Sequence, residues 1–329
     1  MFPANALTGI TVLDLTRLLP GPMATAWLVQ MGARVLKIED RGPGDYLRTM
    51  NPPLFEMVNG GKQCVALDLK DATDRDAFLR LVDEADVLVE GFRPGVMDRL
   101  GLGWETIHSR NPRLVYVAIT GYGYATPYRD MAGHDINYLS MSGVLDLIGP
   151  ADGPPAIPGV QIADLAGGSM YAVMGLLAAL HARERSGKGC FIDAGMTQGS
   201  ALLLPVAYAQ ASTGVPPRRG DEMLSGRYAC YNVYKTKDGR YVSVGALEAK
   251  FWAALCNALH RPDLIADQYA EDPRRSQLIA TLGEIFLTRD AEAWFEHLRG
   301  VDACVTPVRT AEEAKADFAP PYLFNISIK

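Results

Sequence analysis

The sequence predicts an α/β protein with a large, mainly parallel sheet covered on both faces and a smaller α+β domain. Three observations carry that expectation. Short β-branched runs alternate with helical patterns through the N-terminal half, which is the period of βαβ units. At 329 residues the chain exceeds the length at which one hydrophobic core stops growing. A turn-rich stretch, Gly214-Val-Pro-Pro-Arg-Arg-Gly220, then separates this half from a hairpin signal and a new set of helices.

In chain order, strands are expected at Ile10–Leu15, Arg34–Ile38, Cys64–Asp68, Val87–Val89 and Leu114–Ile119, with helices after Pro22 and over Ala72–Glu84. Joined by right-handed crossovers, they make a doubly wound, Rossmann-like sheet. Long helical patterns follow over Ala166–Arg185 and Met196–Thr213. Tyr231–Lys235 and Arg240–Val244 flank Thr236-Lys-Asp-Gly239, a hairpin signal because Asp-Gly accepts positive φ. Helices around Glu248–Leu259, Arg275–Leu287 and Ala291–Leu298 lead to a strand within Ala303–Val308. The expected division is a large domain over 1–190, a linker helix and linker over 191–225, and a small domain over 226–304.

Bulk properties narrow the function. With 48% hydrophobic and 21% charged residues the composition is that of a soluble globular protein. A net charge of −6 disfavours a nucleic-acid binder, which needs a concentrated basic face, whereas a small anionic ligand needs only a local basic pocket. The apolar stretch Gly199–Ala211 is interrupted by Pro205 and too short to span a bilayer, so no membrane partner is expected. The first residues lack a basic region followed by an apolar run, and a cytoplasmic location is expected. Five widely spaced cysteines without a Cys-x-x-Cys pair argue against disulfides and against a metal site. After the first strand stands Thr16-Arg-Leu-Leu-Pro-Gly-Pro22 instead of Gly-x-Gly-x-x-Gly, so NAD binding is not supported. Gly121-Tyr-Gly123 reads as a tight turn.

Three places can carry chemistry. His134 and Asp135 follow Gly133 at the start of a short helical pattern, where free backbone N–H groups and the helix dipole favour a developing oxyanion. Asp135 in that position either caps the helix or serves a site. His134 is either a hydrogen-bonded structural residue or a base, imidazole being the side chain that exchanges protons near neutral pH. Asp164, among apolar and small residues at the mouth of a long helix, is an N-cap or, in a dry pocket, a carboxylate with a raised pKa that exchanges protons or attacks a thioester. Glu248, between strand and helix, is an exposed first-turn glutamate or a carboxylate that orients an imidazole.

Gly133-His-Asp-Ile-Asn-Tyr138 resembles the signature of the α-methylacyl-CoA racemases within the family III CoA-transferase (CaiB/BaiF-like) superfamily. Supporting segments span nearly the whole chain: Leu13-Asp-Leu-Thr-Arg17, Gly32-Ala-Arg-Val-Leu-Lys-Ile-Glu39, Leu67-Asp-Leu-Lys70, Glu90-Gly-Phe-Arg-Pro-Gly-Val-Met97 and Arg99-Leu-Gly-Leu-Gly103. The resemblance implies an acyl-CoA substrate, with His134 and Asp164 as acid/base residues on opposite faces of the α-carbon. It further implies that the backbone N–H of Asp135 binds the thioester oxygen. An interlocked homodimer would bring Glu248 of one chain to His134 of the other, and residues 305–329 would rejoin the large domain. Arg41, Lys62 and Arg93 would bind coenzyme A, which is part of the substrate, so no separate cofactor is implied. The chain departs from the family pattern at Gly60, where arginine is usual, and at Ala249, where proline is usual.

Met131, Met141, Met170 and Met196 suit either a flexible acyl groove or ordinary core packing. The main rival is a CoA-transferase of the same superfamily with Asp164 as nucleophile. His134 discriminates, since the transferases lack a histidine there. A non-catalytic acyl-CoA binder is the rival of a different class.

Overall fold

A computed structural model describes residues 3–318. Its described part divides into two compact units, the first running to Leu145 and resuming over Ile157–Ala209, the second formed by Asp146–Ala156 and residues from Gln210 on.

The first unit is built on β1 (Thr11–Leu15), β2 (Arg34–Glu39), β3 (Gln63–Ala66), β4 (Val87–Glu90), β5 (Val115–Thr120) and β6 (Phe191–Gly195). They pair in the order β3-β2-β1-β4-β5-β6, parallel throughout. Every residue of β4 and β5 is buried, as strands covered on both faces require. On one face Leu13, Leu88 and Tyr116 pack with Phe78, Val82 and Ile107. Each such side chain stabilises the fold by ~1.5–3 kcal/mol relative to exposure. The chain order reverses between β1 and β4, and loops leaving the carboxyl ends of these strands diverge there to leave a crevice.

Three expectations about the middle of the chain are corrected. Residues 191–195, assigned to the linker, form β6, paired with β5 from Tyr116↔Phe191 to Thr120↔Gly195. The single helix expected over 196–213 is two, Met196–Ala201 and Pro205–Ala211, because proline lacks an N–H and clashes with the preceding turn. The preceding helix begins earlier than expected and continuously spans Ala163–Ser186, with Ala163–Met170 wound as a π-helix. Gly167 and Gly199 let this helix and Met196–Ala201 touch through their backbones, since a Cβ on Gly199 would lie 2.1 Å from the Gly167 carbonyl.

By length and mean hydropathy (1.4), Ala163–Ser186 is the one helix among the described residues that would suffice to cross a membrane, a candidate not weighed from sequence. It lies against β5 and β6, tied down by Ser169 Oγ donating to Pro20 O (2.6 Å) and by the Arg183–Asp86 ion pair (2.9 Å).

The second unit contains an antiparallel sheet of β7 (Tyr231–Lys235), β8 (Tyr241–Gly245) and β9 (Val305–Pro307). Gly239 has φ +78° in the β7–β8 turn, as the Asp-Gly pair predicts. Helices Ala249–Ala258, Arg274–Phe286 and Ala291–Leu298 bury Trp252, Leu255, Leu282, Phe286 and Trp294 against it. Pairing of β9 with β8, and an Arg240–Glu313 ion pair (2.8 Å), put residues 305–318 in this unit instead of the large domain. The remainder of the expected 305–329 return lies outside the described residues.

Candidate active site

A cavity of about 440 Å³ opens at the carboxyl ends of β4 and β5. One wall is Gly91–Pro94, which follows β4; another runs from Arg129 to His134 and continues into the helix Asp135–Ser142. His134 occupies the N-cap, with extended backbone (φ −129°) and an exposed side chain. Its N–H donates to Asn137 Oδ1 (3.0 Å), which fixes the entry to the helix. Tyr138 Oη donates to the Gly133 carbonyl (2.5 Å), and a Cβ on Gly133 would lie 2.6 Å from Tyr122 Oη, so only glycine fits before His134.

Asp135 is the first helical residue, yet its carboxylate does not cap its own helix. Oδ1 accepts a hydrogen bond from the backbone N–H of Asp164 (2.9 Å) and so pins the start of the Ala163–Ser186 helix to the start of the His134 helix. Asp164 is not an N-cap either, because Ile162 holds that position. Burial, reinforced by the adjacent Asp135 carboxylate, pushes the Asp164 carboxyl up to about 7. A group poised there takes up and releases protons at neutral pH. Tyr138 registers the assembly, since burial, then Asp164, raise its hydroxyl and Arg93 opposes them.

Asp135→Asn keeps an oxygen acceptor for the Asp164 N–H but removes the like charge. The Asp164 pKa should therefore fall, and any rate limb that requires ionised Asp164 should move to lower pH, as a pH–rate profile will read. Burial persists, so the shift should be partial.

A second cavity, about 530 Å³, lies at the carboxyl ends of β1 and β2 and beside the segment after β3. Arg17, Arg41 and Lys70 line it, and Phe92 borders both cavities. Arg41 pairs with Asp74 (2.6 Å) while its side chain stays 65% exposed, and Arg17 pairs with Asp40 (2.6 Å). Arg93 and Arg129 share the first cavity with His134. Sequence reasoning missed Arg17, Lys70 and Arg129 as site residues. The available signal for Arg17 was its place just past the end of β1, where open α/β sheets bind ligands.

Lys62 is a correction. Its side chain is fully enclosed, and Nζ donates to Asp14 Oδ2 (3.0 Å), Pro22 O (2.9 Å) and Asn59 Oδ1 (2.9 Å), which uses all three ammonium donors. It therefore supports the site from behind. Burial lowers the Lys62 ammonium to about 8. Burial opposes ionisation of Asp14, but Lys62, Lys37 and the hydroxyls of Thr16 and Thr25 outweigh it and hold that carboxyl well below its ordinary range. Lys62→Met leaves Asp14 buried and without that partner, and should cost about 3–5 kcal/mol of stability in denaturant titration.

Glu248 lies in the second unit, exposed at the N-cap of Ala249–Ala258, and its side chain caps no N–H there. The methionines divide: Met131, Met141 and Met170 are exposed, whereas Met196 is buried but still borders the first cavity together with Met131.

A doubly wound sheet with ligand-sized crevices at its carboxyl ends, one of them walled in part by His134, together with the buried Asp164 carboxyl poised near neutral pH, is the arrangement of an α/β enzyme. The chain matches CoA-transferase family III over residues 7–320 and belongs to that family. It is 38% identical to the α-methylacyl-CoA racemase of Homo sapiens, over 94% of this chain and 79% of the relative. It is 36% identical to the acetyl-CoA:oxalate CoA-transferase of Acetobacter aceti, over 95% and 83%. A CaiB/BaiF family protein from Brucella suis superposes with a TM-score of 0.82 at 30% identity, covering 96% of this chain and 86% of that one.

Proposed function

We propose that the chain is an α-methylacyl-CoA racemase that interconverts (2R)- and (2S)-2-methylacyl-CoA thioesters. The observation that carries the reading is His134 at a cavity wall, its helix start tied through Asp135 to Asp164, a carboxyl poised near neutral pH. One of the pair takes the α-proton, the electron pair moves onto the thioester oxygen as an enolate, and the conjugate acid of the other returns a proton to the opposite face. The first helical N–H groups have no intrahelical acceptor, so that of Asp135 can receive the enolate oxygen. Such a donor contributes about 2.7–4 kcal/mol, and positioning of reacting groups up to ~7–11 kcal/mol. The nucleotide of coenzyme A would occupy the cavity of Arg17, Arg41 and Lys70, with Phe92 and Arg93 beside its pantetheine arm. No separate cofactor enters these steps. Glu248 would act on His134 from a second copy of the chain.

The similarity to an acetyl-CoA:oxalate CoA-transferase supports a second reading, in which Asp164 attacks the thioester carbonyl and expels the coenzyme A thiolate to leave an aspartyl anhydride. The thiolate then attacks the aspartyl carbonyl to give an aspartyl-CoA thioester and release the first acid, and the acceptor carboxylate takes up coenzyme A by the reverse steps. One experiment separates the two. The protein is incubated in heavy water with a single epimer of 2-methylbutanoyl-CoA and no acceptor acid. Deuterium uptake with inversion is expected; its absence, with coenzyme A transfer once oxalate or succinate is added, establishes the transferase.

A further inference from the structure

The proposed reaction leaves Glu90 without a task, although it is a fully buried carboxyl between the two cavities. It ends β4 and stands in register with Leu15 of β1 and Ala118 of β5, at the carboxyl ends of the strands from which both cavities open. Oε2 accepts from the Phe92 N–H (2.6 Å) and Oε1 from Tyr124 Oη (3.3 Å). Phe92 is the residue the cavities share, and Arg93 follows it in the wall of the first. Tyr124 stands behind the other rim: its N–H donates to Asp193 Oδ2 (2.6 Å), and the guanidinium of Arg129, which lines the first cavity, lies 5.6 Å from its ring centre.

The surroundings offer this carboxyl little charge compensation. Burial, together with Asp98 and Asp193, pushes it up to about 8 against the two hydrogen bonds that favour ionisation. Tyr116 is the further titratable neighbour, its own hydroxyl raised by burial and then by Glu90. An apolar residue would fill the position without desolvating a carboxyl, but would leave the Phe92 N–H and the Tyr124 hydroxyl with nothing to hold them in register.

We infer that Glu90 is a positioning residue that fastens the Phe92–Arg93 rim to the Tyr124–Arg129 rim and thereby sets the affinity for the CoA thioester. This rests on the acyl-CoA reading above. Because Glu90 lines neither cavity, its loss should appear in binding and KM and leave kcat nearly in place. Glutamine can keep both contacts, its carbonyl accepting from Phe92 and its amide donating to Tyr124 Oη, whereas leucine keeps neither.

The test measures the Kd of 2-methylbutanoyl-CoA by titration calorimetry, and kcat and KM for α-deuterium exchange, in the full chain and in Glu90→Leu, Glu90→Gln and Tyr124→Phe. Glu90→Leu should raise Kd and KM by about ten-fold with kcat within a few-fold, Glu90→Gln should recover most of that loss, and Tyr124→Phe should raise Kd about three-fold. Wild-type Kd in Glu90→Leu, or a kcat loss at constant KM, overturns the assignment. If circular dichroism shows that Glu90→Leu does not fold, a wild-type Kd in Tyr124→Phe overturns it alone. An unsubstituted chain that binds no CoA thioester overturns the acyl-CoA reading itself, and the assignment with it.

Discussion

His134→Gln is expected to abolish inversion at the α-carbon while leaving deuterium exchange into one epimer. In the proposed reaction the asymmetry follows from two bases on opposite faces. Without the imidazole, Asp164 still removes and returns the proton on its own side, so its epimer exchanges with retention. The other epimer meets no base, and its exchange should fall by ~10²–10⁴-fold, the usual contribution of a positioned general base. Glutamine retains a polar, hydrogen-bonding side chain at an exposed N-cap, and the Asn137 contact runs to the backbone N–H of residue 134, so the helix start should survive. Chiral chromatography combined with mass spectrometry of each epimer reads exchange and configuration together. Equal loss for both epimers would show that His134 organises the site without serving one face of it.

Much of the scaffold was legible because its physics is local. Strands covered on both faces read as unbroken apolar runs, which is why Val87–Val89 and Leu114–Ile119 stand out in the sequence. The β7–β8 hairpin is announced by Asp238-Gly239, whose positive φ the structure contains. What escaped depends on partners distant in sequence. Phe191–Gly195 is a short run between glycines, and only pairing with β5 makes it a strand. Lys62 belongs to a segment that resembles a coenzyme contact, but its direction is set by Asp14, 48 positions earlier, and by Pro22, 40 positions earlier. For Asp164 the chemistry was readable and the geometry was not, because the helix starts ahead of it and its N–H is held by Asp135, 29 positions away. Glu90 was visible only as part of a resembling segment; its burial between two crevices emerges from the strand order.

Asp164→Asn should produce the mirror image of the histidine variant: exchange with retention persists for the epimer that faces His134 and falls by ~10²–10⁴-fold for the other. The amide retains shape and polarity but neither gains nor loses a proton. In the unsubstituted chain the Asp164 carboxyl lies near 7, which gives the two directions opposite pH limbs. Where Asp164 is the base it must be ionised, so that the Asp164 limb of the rate rises with pH through about 7. Where it is the acid it must carry a proton, so that rate falls over the same interval. Both Asp164 limbs should vanish in Asp164→Asn, and in Asp135→Asn both should move to lower pH. A transferase responds differently, because Asp164 is then the nucleophile: Asp164→Asn would stop coenzyme A transfer to every acceptor, and no epimer-dependent exchange would remain to be divided. Initial rates for each epimer across pH 5 to 9, in both variants, therefore test the pKa, its cause and the reaction class in one series.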